Sequence, residues 1–262
     1  MEITGKSKIM FVLADPVDHV RASAVLNAYF SEIGENVATS HLAVRPQDLG
    51  HVVGAIRLMG NVVGFGVTIP HKVAIIPLLD EITDRARMIG AVNFVRRSDD
   101  GRLVGDNMDA PGFIAGLSAH GYSVAGKRVL QIGAGGAGRA TALAIAEAGA
   151  AELWISNRDA ARGKALADAV QAAFPQTHIV SGSAAADTFD LIVNTTSLGM
   201  KPGDAVPVDL SQLPSSTVVY DIIVNPPVTR LMEIAHARGA VTIGGKAMLD
   251  AQMALVGAFI RR

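Results

Sequence analysis

The first segment able to do chemistry is Gly133-Ala134-Gly135-Gly136-Ala137-Gly138. It follows the apolar run Val129-Leu130-Gln131-Ile132 and precedes an alanine-rich stretch, so G-x-G-x-x-G lies between a predicted strand and a predicted helix. In that setting Gly133 permits the tight turn, Gly135 lets the backbone approach a pyrophosphate, and Gly138 allows close helix–strand packing. The helix start adds free N–H groups and a positive dipole end. Three polar segments lie upstream. Val67-Thr68-Ile69-Pro70-His71-Lys72 closes one apolar run, Gly90-Ala91-Val92-Asn93 enters another, and Gly105-Asp106-Asn107-Met108-Asp109 divides the two halves of the chain. A lysine and an aspartate brought together at strand carboxyl ends could polarise a carbonyl and protonate an alkoxide while a nicotinamide gives hydride. Plainer readings stand beside this one: Lys72 as a surface lysine, and Asp106 or Asp109 as the cap of the following helix.

The end of the second strand of the glycine-loop half reports which dinucleotide fits. A carboxylate there would bond a ribose 2′-hydroxyl. Here the chain reads Ile155-Ser156-Asn157-Arg158, with Arg162 one turn later. Two guanidinium groups in place of a carboxylate suit a 2′-phosphate, so the expected cofactor is NADP. The alternative is an ordinary solvated helix start.

The elements that must position these groups form two series. In the first half, strands are expected over 9–14, 37–44, 62–69 and 91–95. Helical segments are expected over 22–33, from Arg45-Pro46, and over 75–79. A hairpin turn at Asp99-Asp100-Gly101 leads into Leu103-Val104. This β-α-β-α-β pattern with a terminal hairpin predicts a mostly parallel sheet with one antiparallel piece. A helix over 112–120 connects to the second half. There, strands over 128–132, 152–156, 178–180, 191–193, 218–220 and 241–243 alternate with helices over 140–148, 159–173 and 228–238, a doubly wound repeat. A last apolar helix, 247–260, is expected to pack back on one domain.

Of the 262 residues, half are apolar and 18% charged, which supports a large buried core. The 23 basic and 24 acidic residues leave a net charge of −1, with no basic excess to drive nucleic-acid binding. The absence of cysteine removes a disulfide framework, a thiolate nucleophile and Cys-ligated metal. The seven histidines show no ligand spacing, so no metal is expected. There is no G-x-S-x-G, and Trp154 reads as core. The polar N-terminus and the lack of an uninterrupted apolar run of membrane length predict a cytoplasmic protein without a membrane span.

In order and spacing, the motifs together resemble the shikimate dehydrogenase family, with its quinate/shikimate and shikimate-dehydrogenase-like branches. The resemblance runs over nearly the whole chain. Besides the segments above, its carriers are Asp15-Pro16-Val17, Asn157-Arg158, Asn194-Thr195-Thr196-Ser197-Leu198-Gly199-Met200, Asn225-Pro226 and Met248-Leu249-Asp250-Ala251-Gln252. It implies that Lys72 and Asp109 form the catalytic pair that binds the reacting hydroxyl and handles its proton. Thr68 and Asn93 look like substrate contacts. Gln252 looks like a substrate contact from the last helix, which would explain why that helix rejoins the first domain. Asn157, Arg158 and Arg162 match the family's NADP-phosphate clamp, and Thr195 and Ser197 lie on the loop bordering the nicotinamide.

The chain departs from the family in its first loop. The usual H-S-x-S-P is His19-Val20-Arg21-Ala22-Ser23, so both serine hydroxyls that hold a substrate carboxylate are replaced. Arg21 could take over that carboxylate by a bidentate pair, with Ser23 as a displaced hydroxyl. The alternative is that Arg21 caps the helix or faces solvent. His19 and His71 are further candidates for substrate contact. Gly66 replaces a usual Asn, Met108 and Ala110 flank Asp109, and Val224 replaces an aromatic.

The reading is therefore two α/β domains with a cleft between them. Residues 1–109, rejoined by 245–262, form a substrate-binding catalytic domain, and 110–244 form a Rossmann-type NADP domain. The expected activity is NADP-dependent interconversion of shikimate and 3-dehydroshikimate. The alternatives are the same chemistry on quinate, an aminoshikimate or another hydroxy-cyclic acid, and a non-catalytic NADP(H) sensor. The expected partner is a small hydroxy-cyclic carboxylic acid, and the expected state is a monomer or homodimer.

Overall fold

Runs of β-branched and aromatic residues flanked by Gly, Pro and Asp set the strands, and alanine-rich or amphipathic stretches between them set the helices. The computed structural model describes residues 2–18 and 20–261, so His19 lies outside the described residues. The chain divides into two compact units, one of residues 1–108 with 252–262 and the other of residues 109–251.

The first unit is built on β1 (Lys8–Ala14), β2 (Val37–Ala43), β3 (Val62–Val67), β4 (Glu81–Ile82), β5 (Phe94–Arg97) and β6 (Leu103–Asp106). Its helices are α1 (Ala22–Glu32), α2 (Leu49–Arg57) and α3 (Asp84–Ile89). Short 3₁₀ turns cover Pro46–Asp48 and Ile76–Leu78. The sheet order is β2-β1-β3-β5-β6-β4. Only β5 runs against its neighbours, pairing antiparallel with β3 and with β6. The mixed sheet expected from the hairpin signal is therefore present. Leu13, Phe65, Val95, Ile56 and Leu103 are buried in its core.

Three boundaries in the first unit and its junction differ from expectation. β3 stops at Val67, because the chain turns at Thr68, where His71 N–H donates to the Thr68 carbonyl at 2.8 Å. β5 begins at Phe94 rather than Ala91, because Val92 N–H is drawn to the Lys72 carbonyl (2.8 Å) instead of a sheet ladder. Two short elements, β4 and α3, were not expected. Thr83 caps α3 by accepting from Ala86 N–H, and Gly90 ends it with a left-handed φ of 71°. The connecting helix, α4 (Asp109–Ala119), starts three residues before Gly112. Pro111 is tolerated there because a first-turn residue has no intrahelical N–H bond to lose.

The second unit carries β7 (Arg128–Ile132), β8 (Glu152–Ser156), β9 (His178–Ser181), β10 (Leu191–Asn194), β11 (Val218–Asp221) and β12 (Val241–Gly244). All are parallel, in the order β12-β11-β10-β7-β8-β9. The helices are α4, α5 (Gly136–Glu147), α6 (Ala160–Ala173) and α7 (Arg230–Ala237), and α8 (Gly245–Ile260) runs from this unit into the first. The order reverses between β10 and β7, so a switch point for ligands lies at the carboxyl ends of these two strands. α5 begins inside the glycine motif, four residues before Ala140, and α7 begins after the Thr229 cap rather than at Val228. Among the described residues no helix is long and apolar enough to cross a membrane.

Candidate functional site

In the first unit, backbone bonds bring the three polar segments together. Asn93 is the joint. Its carbonyl accepts Val67 N–H (2.7 Å), its N–H donates to the Asp106 carbonyl (3.0 Å), and its Oδ1 accepts Met108 N–H (2.7 Å). Val92 N–H holds the Lys72 carbonyl, which ties the lysine segment to the same place. Thr68 N–H donates to the Leu13 carbonyl at 3.0 Å, so Thr68 sits beside the end of β1. Asn93 is buried, and Thr68 and Lys72 are half-buried. The peptide bonds Asp15–Pro16 and Ile69–Pro70 are cis, and Asp15 N–H donates to the Ile69 carbonyl at 3.2 Å. The first loop and the lysine segment are thereby adjacent.

Asp106 and Asp109 separate clearly. The buried Asp106 carboxylate accepts from Thr83 Oγ1 (2.6 Å), Arg85 Nη2 (2.5 Å), Arg85 Nε (3.2 Å) and Asn107 N–H (2.7 Å). It is saturated and locks α3 onto β6. Asp109 opens α4 in the second unit and is buried. Asn107 spends its amide on the Ala91 carbonyl at 3.1 Å. His71, adjacent in sequence to Lys72, is 1% exposed and bonds the Val44 carbonyl through Nε2 at 2.7 Å. It is a core latch, neither solvent-facing nor part of an open site.

The first loop leads into α1. Arg21 takes the cap position of that helix with no side-chain cap bond and is exposed. Ser23 is buried, and its Oγ has no partner among the described residues. Gln252 is buried on α8.

In the second unit the glycine loop has the geometry a pyrophosphate needs. Gly133 has φ 111°, and a Cβ there would strike Thr195 Oγ1. A Cβ on Gly138 would come within 2.5 Å of the Gly133 carbonyl oxygen. Gly135 faces open space. The residues present therefore fit a dinucleotide. Two buried side chains that sequence reading missed hold the loop. Gln131 Nε2 donates to the carbonyls of Gly133 (3.0 Å) and Gly138 (2.8 Å), and Thr141 Oγ1 donates to Gln131 Oε1 (2.7 Å). A polar residue inside an otherwise apolar strand was the available signal.

At the end of β8, Asn157 accepts Ala134 N–H at 3.1 Å and donates to the Asp159 carbonyl at 2.8 Å. Its side chain braces the glycine loop. Asp159 is the α6 cap, accepting Arg162 N–H at 3.1 Å. Arg158 and Arg162 are exposed at this corner. Thr195 anchors the following loop to β7, with its N–H and its hydroxyl each 2.8 Å from the Ile132 carbonyl. Ser197 is exposed on that loop. Among the described residues no cluster of His, Asp and Glu could hold a metal.

Residues 12–95 match the family profile of the shikimate dehydrogenase substrate binding domain, and residues 117–202 match that of shikimate / quinate 5-dehydrogenase. A curated relative, the shikimate dehydrogenase (NADP(+)) of Geobacter metallireducens, is 42% identical over 260 residues, covering 96% of this chain and 90% of its own. The chain belongs to the shikimate dehydrogenase family. A crystal structure of a shikimate dehydrogenase in complex with NADP+ superimposes with a TM-score of 0.92 at 32% identity, covering 99% of this chain and 91% of that one. The ligand-free 5-ketofructose reductase of Gluconobacter sp. strain CHM43 gives 0.89 at 34% identity, covering 98% and 93%. The two-unit α/β fold is thus that of shikimate dehydrogenases.

Proposed function

We propose that this protein is an NADP-dependent oxidoreductase that interconverts shikimate and 3-dehydroshikimate. The observation that carries this reading is the 42% identity to a shikimate dehydrogenase (NADP(+)) over 96% of the chain. That match takes in the Lys72 segment and the glycine loop together. NADP, when bound, accepts or returns the hydride of the ring carbinol carbon.

The chain's residues divide the remaining work. Lys72 and Asp109 bind the reacting hydroxyl and hold its proton. Thr68, Asn93 and Gln252 orient the ring, and Arg21 with Ser23 faces the carboxylate end. The backbone from Gly133 through Ala134, Gly135, Gly136 and Ala137 to Gly138 carries the pyrophosphate at the start of α5. Asn157 braces that backbone, while Arg158 and Arg162 take the 2′-phosphate. Thr195 and Ser197 border the nicotinamide. The first unit serves as the substrate-binding catalytic domain and the second as the NADP domain. The protein works in the cytoplasm as a monomer or homodimer.

A second reading keeps the hydride chemistry and changes the substrate. It is favoured by Val20 and Ala22 in the loop before α1, and by the likeness to a 5-ketofructose reductase, named for a ketose without a carboxylate. Initial rates of NADP+ reduction with shikimate and with quinate, NADPH oxidation with 5-ketofructose, and NAD+ as control decide between them. NADP-linked turnover of shikimate above the others supports the main reading. Preference for the ketose, or turnover of neither acid with NADPH binding intact, refutes it.

A further inference from the structure

β10 and β11 end side by side at two buried polar residues, Asn194 and Asp221, which are register partners and are both 0% exposed. Among the described residues Asp221 bonds no basic side chain. Its Oδ1 accepts from Asn194 Nδ2 (3.1 Å) and Ile223 N–H (3.1 Å), and its Oδ2 accepts from Thr229 Oγ1 (2.7 Å). Burial raises its pKa, against the pull of the three donors. Burying such a group is costly unless hydrogen bonds compensate it.

Those bonds lead to one place. Asn194 Nδ2 also donates to the Leu198 carbonyl at 3.2 Å. Asn194 Oδ1 accepts from Thr196 N–H (3.0 Å) and Thr196 Oγ1 (2.8 Å), and Thr196 Oγ1 accepts Leu198 N–H at 3.1 Å. Gly199, with φ 113°, sits where a Cβ would lie 3.3 Å from Ile223 and 3.4 Å from Thr229, both residues that bond Asp221. The middle of this loop, Thr196 and Leu198, is therefore tied through Asn194 to Asp221, while Ile132 holds Thr195 and Asp204 accepts Gly199 N–H at 3.0 Å. At its start, Thr195 packs against Gly133 and Gly138 of the pyrophosphate loop.

We infer that Asp221 is a positioning residue for the nicotinamide end of the cofactor site, acting through Asn194 and Thr229 on the loop from Thr195 to Gly199. This rests on the NADP reading above. Asp221 touches neither cofactor nor substrate. It fixes the backbone of the loop that does, at the switch point where the sheet order reverses. The adenosine end, at Arg158 and Arg162, lies beyond β8 on the other side of β7 and shares none of these bonds.

The test compares two ligands of the full chain. NADPH reaches both ends of the site, whereas adenosine 2′,5′-bisphosphate reaches only the adenosine end. Asp221→Ala should weaken NADPH about tenfold or more, the scale of lost bonds to a charged group. Binding of adenosine 2′,5′-bisphosphate should stay within about twofold, as for an independent site. Thr196→Val, a milder change within the loop, should act in the same direction, with kcat falling as KM for NADPH rises. Combined with Asp221→Ala it should add little, because both cut the same path. Equal weakening of both ligands, or unchanged NADPH affinity in Thr196→Val, overturns the positioning role. If the unsubstituted chain binds no NADPH, the cofactor reading fails and the inference falls with it.

Discussion

Replacing Gln131 with leucine should destabilise the second unit and weaken cofactor binding together. The side chain is 0% exposed, and leucine is close to it in size, so lost bonds rather than a cavity dominate. Three hydrogen bonds go: those to the carbonyls of Gly133 and Gly138, and the one from Thr141. Thr141 Oγ1 lies 3.2 Å from the Gly138 carbonyl and can serve it, which leaves the Gly133 carbonyl bare. One bare buried acceptor, at Gly133, costs about 1–3 kcal/mol, and the other two lost bonds, less the one Thr141 makes to Gly138, cost about 1 more, for a total of about 2–4 kcal/mol. That is a large share of a typical stability of about 5–15 kcal/mol. Urea unfolding followed by fluorescence measures it, since Trp154 is the single tryptophan and lies on β8 of this unit. NADPH titration of the folded variant should show weaker binding, because the unbraced loop presents its N–H groups less accurately. A loss below about 0.5 kcal/mol, the range of a neutral surface change, would refute the reasoning.

Other consequences are open to direct measurement. Arg158→Ala and Arg162→Ala should each raise KM for NADP+ about 10- to 100-fold with little change for NAD+, the loss of a charge-assisted phosphate bond. Equal effects on both cofactors would remove the clamp. Lys72→Ala should lower turnover about 10²- to 10⁴-fold while NADPH affinity, measured by fluorescence titration, stays the same. Unimpaired turnover would dismiss the lysine from proton handling. Glu152 has a lowered pKa, first through its bond to Arg128 and then through Trp154 Nε1–H, so the folded state favours its charged form. Its contribution is present above the unfolded value and is lost as pH falls through the lowered folded value. The unfolding midpoint should therefore drop below about pH 4.3 more steeply in the parent than in Glu152→Gln. Parallel profiles would show that the ion pair adds nothing.

The strand, glycine loop and helix start were legible because their geometry is local. A strand, a tight turn and a helix start need glycines at fixed offsets, and β7, Gly133–Gly138 and α5 follow in the predicted order. The mixed sheet was legible from the hairpin signal, since antiparallel pairing of neighbours needs only a short turn. Less legible was where β5 starts. Ala91 to Asn93 have the composition of a strand, but Val92 N–H is claimed by the Lys72 carbonyl. His71 illustrates the same limit. Its place beside Lys72 suggested a site, yet only packing turns its ring to the Val44 carbonyl.

Residue types and spacing alone determined the fold class, the glycine loop, the arginines in place of a carboxylate after β8, and the polar segments around Lys72 and Asn93. Each rests on contacts between near neighbours in sequence or on a periodic pattern. The tertiary structure decided which polar side chains are spent on holding the fold. Asp106 and Asp109 are equally plausible on spacing, but Thr83 and Arg85, more than twenty residues away, saturate the first. Asn194 and Asp221 likewise gain their roles from each other, on neighbouring strands and 27 residues apart. A hydrogen bond needs both groups within about 3 Å, and for residues distant in the chain only the folded sheet brings them there.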